Sequence, residues 1–283
     1  MNLDKLKTKE AITWCPGCPN FSILQAFQQA IAEMGIGAST AIVTGIGCHA
    51  KIYDYVNLKG FYGLHGRVLP IAFGLKLGNP DLKVVGFGGD GDTYAEGMEH
   101  FIHHCRYNAD LTLLVHNNQV FSLTTGQFTP TTEKGFKSGS SPLGLAEKPI
   151  NPLILALEAG ATFVARGYAL DVPHLKELIK RALAHPGFSF IDILQPCLVF
   201  HKHSVSYLNK NVYKLSESAL DFQAALAKAR EWDYSYDSDA KVPLGIFYQT
   251  KRPTFESQWP QLKKPWQLAR RKINWSKITQ EFK

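Results

Sequence analysis

Asp90 stands between Gly89 and Gly91 where an apolar run ends, and Asn118 closes a second apolar run 28 residues later. A β-α-β unit would carry both to one sheet edge. A carboxylate and an amide oxygen suit a hard cation such as Mg²⁺, which takes its remaining oxygens from phosphates and water. Glycines at 89 and 91 allow close backbone approach to a diphosphate and present N–H groups at a helix N-terminus. A second group is WCPGC, with Cys15 and Cys18 flanking Pro-Gly. Alone, a C-x-x-C fits a disulfide, a redox dithiol, zinc or an iron–sulfur cluster. Five cysteines without a secretory context point to metal or catalytic use over disulfides.

The elements that must position these groups follow from periodicity. Ile23, Phe27, Ala30, Ile31 and Met34 are at helical spacing and stop at Gly35. Residues 40–45, 83–89, 111–116, 161–166 and 188–194 read as buried strands. Helices are predicted from near Pro70 to Gly78, over 94–107 and over 172–184. Apolar strands alternating with helices predict an α/β fold, a mostly parallel sheet with helices on both faces and ligands at the carboxyl ends of strands. Residues 1–213 form the expected main domain. Residues 214–283 are expected to add one helix (215–231) and, from Tyr234, an extended C-terminal arm.

The 283 residues are 45% apolar, a globular composition. No run approaches the ~18–20 apolar residues of a membrane span, and the charged N-terminus lacks a signal-peptide core, so a cytoplasmic protein is expected. Residues 251–283 hold six Lys and three Arg against two Glu, which accounts for the net +7; residues 1–250 balance at 22 of each sign. No nucleic-acid module accompanies this basic end, so a solvated tail or an arm on an acidic partner surface is the expectation.

GDG, a helix, a strand and Asn-Asn at this distance form the thiamine-diphosphate motif. With WCPGCPNF (14–21), GIGCHAK (45–51), the run 60–92, HNNQVFSLTTGQFTPTT (116–132) and DILQPC (192–197), the chain resembles the beta subunit of the 2-oxoacid:ferredoxin oxidoreductases, from about residue 10 to 210. The resemblance implies a thiamine-diphosphate-binding fold and one [4Fe–4S] cluster held by Cys15, Cys18, Cys48 and Cys197. It implies Mg²⁺ on Asp90, Asn118 and the Val120 carbonyl. Thiamine diphosphate would touch Ile46, Gly47, Cys48, His49, His65, Gly91, Asp92, Ser122 and Leu123. Four thiolates also suit structural Zn²⁺, and spacing does not separate the two. Arg67 is a candidate for a phosphate or carboxylate contact, and Cys105 for a buried structural thiol.

The implied activity is coenzyme A-dependent oxidative decarboxylation of a 2-oxoacid, 2-oxoglutarate or pyruvate, with electrons passing through the cluster to ferredoxin. The catalytic activating glutamate is expected on an alpha (or alpha and gamma) partner subunit, in a heterodimer whose isolated beta chain is inactive. Two departures stand out. Pro19 follows Cys18 where the family usually has Gly, and Thr125 stands where many 2-oxoglutarate enzymes carry Lys. Alternatives are a non-redox thiamine decarboxylase subunit with zinc or an empty cysteine site, and a non-catalytic binding module.

Overall fold

The structure is a computed structural model that describes residues 2–216, 221–236, 239–259, 262 and 274–282. In chain order its elements are α1 (Asn20–Met34), β1 (Thr40–Thr44), α2 (Ile52–Tyr55), β2 (Lys59–Tyr62), α3 (Val68–Gly78), β3 (Lys83–Gly89), α4 (Asp90–Tyr94), α5 (Met98–Tyr107), β4 (Leu111–Asn117), β5 (Val120–Phe121), β6 (Gln127–Phe128), α6 (Pro152–Glu158), β7 (Phe163–Tyr168), α7 (Val172–Ala184), β8 (Ser189–Leu194), α8 (His203–Asn211), β9 (Val212–Lys214), α9 (Phe222–Ala229), β10 (Val242–Gln249) and α10 (Trp275–Glu281). Among them an eight-stranded sheet runs β2-β1-β3-β4-β8-β7-β10-β9, and β5 and β6 form a separate antiparallel pair. All neighbours in the large sheet are parallel except β10 on β7.

Successive strand residues feed opposite faces, because side chains alternate along a strand. Ile42, Val85, Leu114, Ala165 and Ile191 pack under α1 and α7. Their neighbours Val43, Val84, Leu113, Val164 and Phe190 pack under α3, α5, α6 and α9. Burial on both faces explains why these strands read as unbroken apolar runs.

The helix expected over 94–107 is two helices, α4 and α5, separated at Gly97. A Cβ on Gly97 would come within 3.1 Å of the Asp92 carbonyl oxygen and 3.0 Å of the Gly66 carbonyl oxygen, so the chain turns at a crowded point that glycine fills without displacing either. The expected extended arm from Tyr234 is corrected in its first half. Val242–Gln249 is a mostly buried strand that enters the main sheet, and β9, also beyond the main strand run, pairs with it. Its Pro243 and Gly245 disguised it. Pro lacks the N–H a ladder needs, and Gly lowers strand propensity. The helix expected over 215–231 is the shorter α9. Residues 260, 261, 263–273 and 283, with much of the basic end, lie outside the described residues.

Under the strand ends lies an ion pair. Arg166 and Asp192 are both fully buried, with Nε 4.0 Å from Oδ2. Asp192 accepts from Tyr94 Oη (3.0 Å), Asn117 Nδ2 (3.0 Å) and Tyr234 Oη (2.7 Å). Trp232, Tyr234 and Phe247 surround the guanidinium at 5.1–5.5 Å. Removing one member of a buried pair strands the other charge, at a cost of about 3–5 kcal/mol. Arg166→Met is therefore expected to destabilise strongly, and Arg166→Met with Asp192→Leu less than Arg166→Met alone, read as urea midpoints of the assembled protein.

Candidate active site

Asp90 is the first residue of α4, at the carboxyl end of β3, and Asn118 follows the last residue of β4. Six β3–β4 pairs, ending at Gly89 opposite His116, fix their separation. Asp90 Oδ1 accepts the Asn118 N–H at 3.4 Å. Its Oδ2 accepts from Thr129 Oγ1 (2.6 Å) and Thr131 Oγ1 (3.0 Å). Burial pushes the Asp90 carboxyl up to about 6, and the two threonines only partly offset it. A carboxylate held this dry is stabilised by a cation. Gln119, at φ 60°, turns the chain so that Asn118 Oδ1 accepts the Val120 N–H at 3.1 Å.

A cavity of about 570 Å³ opens beside these residues. Every residue that the sequence suggests for the cofactor lines it: Ile46, Gly47, Cys48, His49, His65, Gly91, Asp92, Ser122 and Leu123. The three cation candidates, Asp90, Asn118 and Val120, line it too. Its wall carries buried polar atoms without a well-aligned hydrogen bond: His49 Nε2 and Asp92 Oδ2, which face only each other, and His116 Nε2. His116 is kept neutral by burial, its pKa well below the ordinary value. Its Nδ1 lies 2.7 Å from Asn20 Oδ1, so Nδ1–H donates and Nε2 presents a lone pair to the cavity. Such atoms call for a polar ligand. Gly91 has room for no side chain, since a Cβ would meet Phe121 Cε1 at 2.2 Å.

Asp92 is fixed by the Gly66 N–H on Oδ1 (2.7 Å) and stands 3.3 Å from His49 Nε2. A Cβ on Gly45 would sit 2.0 Å from Asp92 Oδ2. Overpacking of this kind costs about 1–3 kcal/mol. Gly45→Ala is thus expected to weaken thiamine diphosphate binding about 10–100-fold, measured by cofactor titration of the assembled protein.

A second cavity, about 290 Å³, is lined by Cys15, Cys18, Cys48 and Cys197 together. The fifth cysteine, Cys105, is apart, buried in the core with Phe101 as expected. Among the described residues no three of the four cysteine sulfurs lie within 4.8 Å of one another. A tetrahedron with Zn–S of ~2.3 Å needs edges of about 3.8 Å. Four thiols round one cavity supply the ligand number of either Zn²⁺ or a cuboidal cluster. Burial pushes the Cys18 thiol up to about 11 and raises Cys48 as well. Only a bound cationic centre would hold them as thiolates. Pro19 has no N–H to offer a sulfur, and Gln195 Nε2 lies 3.7 Å from Cys18 Sγ.

The two cavities share a wall. Asn118 Nδ2 donates to Ser122 Oγ (3.1 Å), which donates to Cys48 Sγ (3.3 Å). Gln195 bridges in parallel, accepting from Asn118 Nδ2 (3.2 Å) and lying 3.7 Å from Cys18 Sγ. Sequence reasoning missed Gln195, Thr129 and Thr131, although they lie inside the quoted motifs. Arg67 does not reach the main cavity; its Nη1 lies 2.9 Å from His100 Nε2 at the surface.

Residues 35–193 match the family of the thiamine pyrophosphate enzyme C-terminal binding domain. Residues 197–264 match the C-terminal region of the pyruvate ferredoxin oxidoreductase beta subunit, beyond the reach of the sequence motifs. A 2-oxoacid:ferredoxin oxidoreductase subunit beta from Saccharolobus solfataricus is 46% identical, covering 84% of this chain and 82% of the relative. The chain belongs to the beta subunits of the 2-oxoacid:ferredoxin oxidoreductases. Within that oxidoreductase family, a 2-oxoglutarate synthase subunit KorB from Archaeoglobus fulgidus is 42% identical, covering 69% of this chain and 73% of its own. A 2-oxoglutarate:ferredoxin oxidoreductase from Magnetococcus marinus, solved with 2-oxoglutarate, coenzyme A and succinyl-CoA bound, superposes with a TM-score of 0.90 at 33% identity. The match covers all of this chain and 96% of that one. No described helix is long and apolar enough to cross a membrane.

Proposed function

We propose that this beta subunit, with an alpha or alpha and gamma partner, catalyses coenzyme A-dependent oxidative decarboxylation of a 2-oxoacid in the cytoplasm. Electrons leave through a [4Fe–4S] cluster to ferredoxin. The reading rests on one observation above others, the shared wall of Asn118, Ser122 and Cys48 between a cation–diphosphate cradle and a four-cysteine cavity.

Asp90, Asn118 and the Val120 carbonyl would hold Mg²⁺. His49, held by Asp92, and the backbone N–H groups at Gly47 and Gly91 would donate to the diphosphate. When bound, thiamine diphosphate supplies the electron sink for cleavage of the 2-oxoacid carbon–carbon bond. Thr129 and Thr131 aim the Asp90 carboxylate. Neutral His116, whose burial disfavours the imidazolium, is able to accept a hydrogen bond at Nε2 inside the cavity. Ser122 donates to a cysteine sulfur, which favours the reduced, more negative state of a bound cluster. 2-Oxoglutarate and pyruvate both fit this reading; the KorB relatives support the former, whereas Thr125, which lines the cysteine cavity and carries no charge for a distal carboxylate, weakens it.

The test is co-expression with the partner subunit and purification without oxygen, followed by iron, sulfide and zinc analysis and EPR after dithionite. About four irons per beta chain and 2-oxoacid-dependent ferredoxin reduction are expected. Zinc without iron would favour a non-redox decarboxylase.

A further inference from the structure

Glu133, His201 and His203 meet outside both cavities. Glu133 lies in the loop that carries Thr129 and Thr131, His201 lies four residues past Cys197, and His203 is the first residue of α8. Glu133 Oε2 is 2.8 Å from His201 Nε2, and Oε1 is 2.8 Å from His203 Nε2. The two imidazole centroids are 4.4 Å apart. Among the described residues, these side chains form a group in which one ligand atom from each lies within 4.8 Å of the others.

The carboxylate takes one imidazole nitrogen on each oxygen, and one of those rings is held there inside the protein with its Nε2 on the carboxylate. His201 is 1% exposed and its Nδ1 has no partner. Neither Lys nor Arg pairs with Glu133 among the described residues. Phe136 and Tyr236 pack on the His201 ring at 5.5 and 5.3 Å and close the inner side. The His203 side chain is half exposed and faces a surface cavity of about 490 Å³, which gives water an approach.

We propose that Glu133, His201 and His203 bind a borderline divalent transition cation of the Zn²⁺ type, with water as the fourth ligand. Two imidazoles and one carboxylate suit zinc, whereas Mg²⁺ prefers oxygen alone. Tetrahedral ligand atoms at ~2.0–2.1 Å from zinc stand about 3.3–3.4 Å apart; one ligand atom from each of the three side chains already lies within 4.8 Å of the others, so side-chain adjustments of an ångström or so bring them to that spacing. The ion would clip the loop that aims Asp90 to the segment following Cys197.

The test uses the assembled complex, purified without oxygen with its iron in place, equilibrated with Zn²⁺ and desalted. One zinc per beta chain is expected, with an X-ray absorption edge fitted by N/O scatterers at ~2.0–2.1 Å and none at the ~2.3 Å of sulfur. His203→Ala, at a half-exposed position, and Glu133→Gln are each expected to retain at least tenfold less zinc with unchanged iron. No retained zinc, equal retention by both variants, or sulfur-dominated scattering would overturn the proposal. Iron analysis separates the two readings: a complex that lacks iron but holds zinc on N/O ligands defeats the cluster assignment and leaves this site standing.

Discussion

Asp90→Asn is expected to abolish cofactor binding, with at least a thousandfold loss of turnover, while making the cofactor-free protein more stable. The carboxylate is buried, and its pKa stands at about 6 against an ordinary 3.8. The folded chain then holds a proton that the unfolded chain has released between about pH 4 and 6. Without cation, stability therefore falls as pH rises through that window, and the deficit persists at neutral pH. Two pKa units correspond to about 3 kcal/mol. Asn removes the charge and still accepts a hydrogen bond from Thr129 or Thr131, so most of that deficit disappears. The cation has the opposite need, since a neutral amide attracts Mg²⁺ weakly. The same proton competes with the metal in the unmodified protein. Mg²⁺-dependent binding of thiamine diphosphate is expected to weaken about tenfold per pH unit below 6. Thermal midpoints of cofactor-free complex, with and without the substitution, and binding titrations at pH 5 and 7 check both halves. A lower midpoint for Asp90→Asn would show that the charge is compensated by something other than a cation.

On the proposed reading of the cysteine cavity, Cys15→Ala is expected to abolish iron binding there and cut ferredoxin reduction at least a thousandfold, with thiamine diphosphate affinity changed less than about threefold. Cys15 lines the cysteine cavity but not the cofactor cavity, and it is exposed, so truncation costs the fold little. Cys48 would separate these effects less cleanly, because it lines both cavities and accepts the Ser122 hydroxyl. Cys105→Ala is the control. Its thiol is buried in the core, raised in pKa by burial, and remote from the other four, so about 1 kcal/mol of stability should be lost and no iron. Iron content, the EPR signal after dithionite and cofactor titration of the three variants decide the matter. Full iron in Cys15→Ala would remove it from the ligand set.

The amino-acid sequence by itself determined the β-α-β core and the two groups of chemical residues. Lys83–Gly89 and Leu111–Asn117 are apolar on both faces, which local periodicity records, and glycines next to Asp90 mark a turn that few other folds require. The four cysteines were grouped by the resemblance that their short motifs carry, and the structure brings them round one cavity. Three things waited for the tertiary structure. β10 was hidden because a strand that borrows its partner from β7, some 80 residues earlier, needs little local propensity, and Pro243 and Gly245 lower it further. The roles of Thr129, Thr131 and Gln195 depend on loop closure over Asp90 and Cys18, a contact between segments 39 to 177 residues apart. Glu133, His201 and His203 belong to two unrelated loops, and no sequence spacing announces a ligand set whose members meet only when those loops pack. Local pattern reports what one segment buries. Which distant side chains share a dry pocket, and therefore which charges are strained or satisfied, is decided only when the sheet has brought its strand ends together.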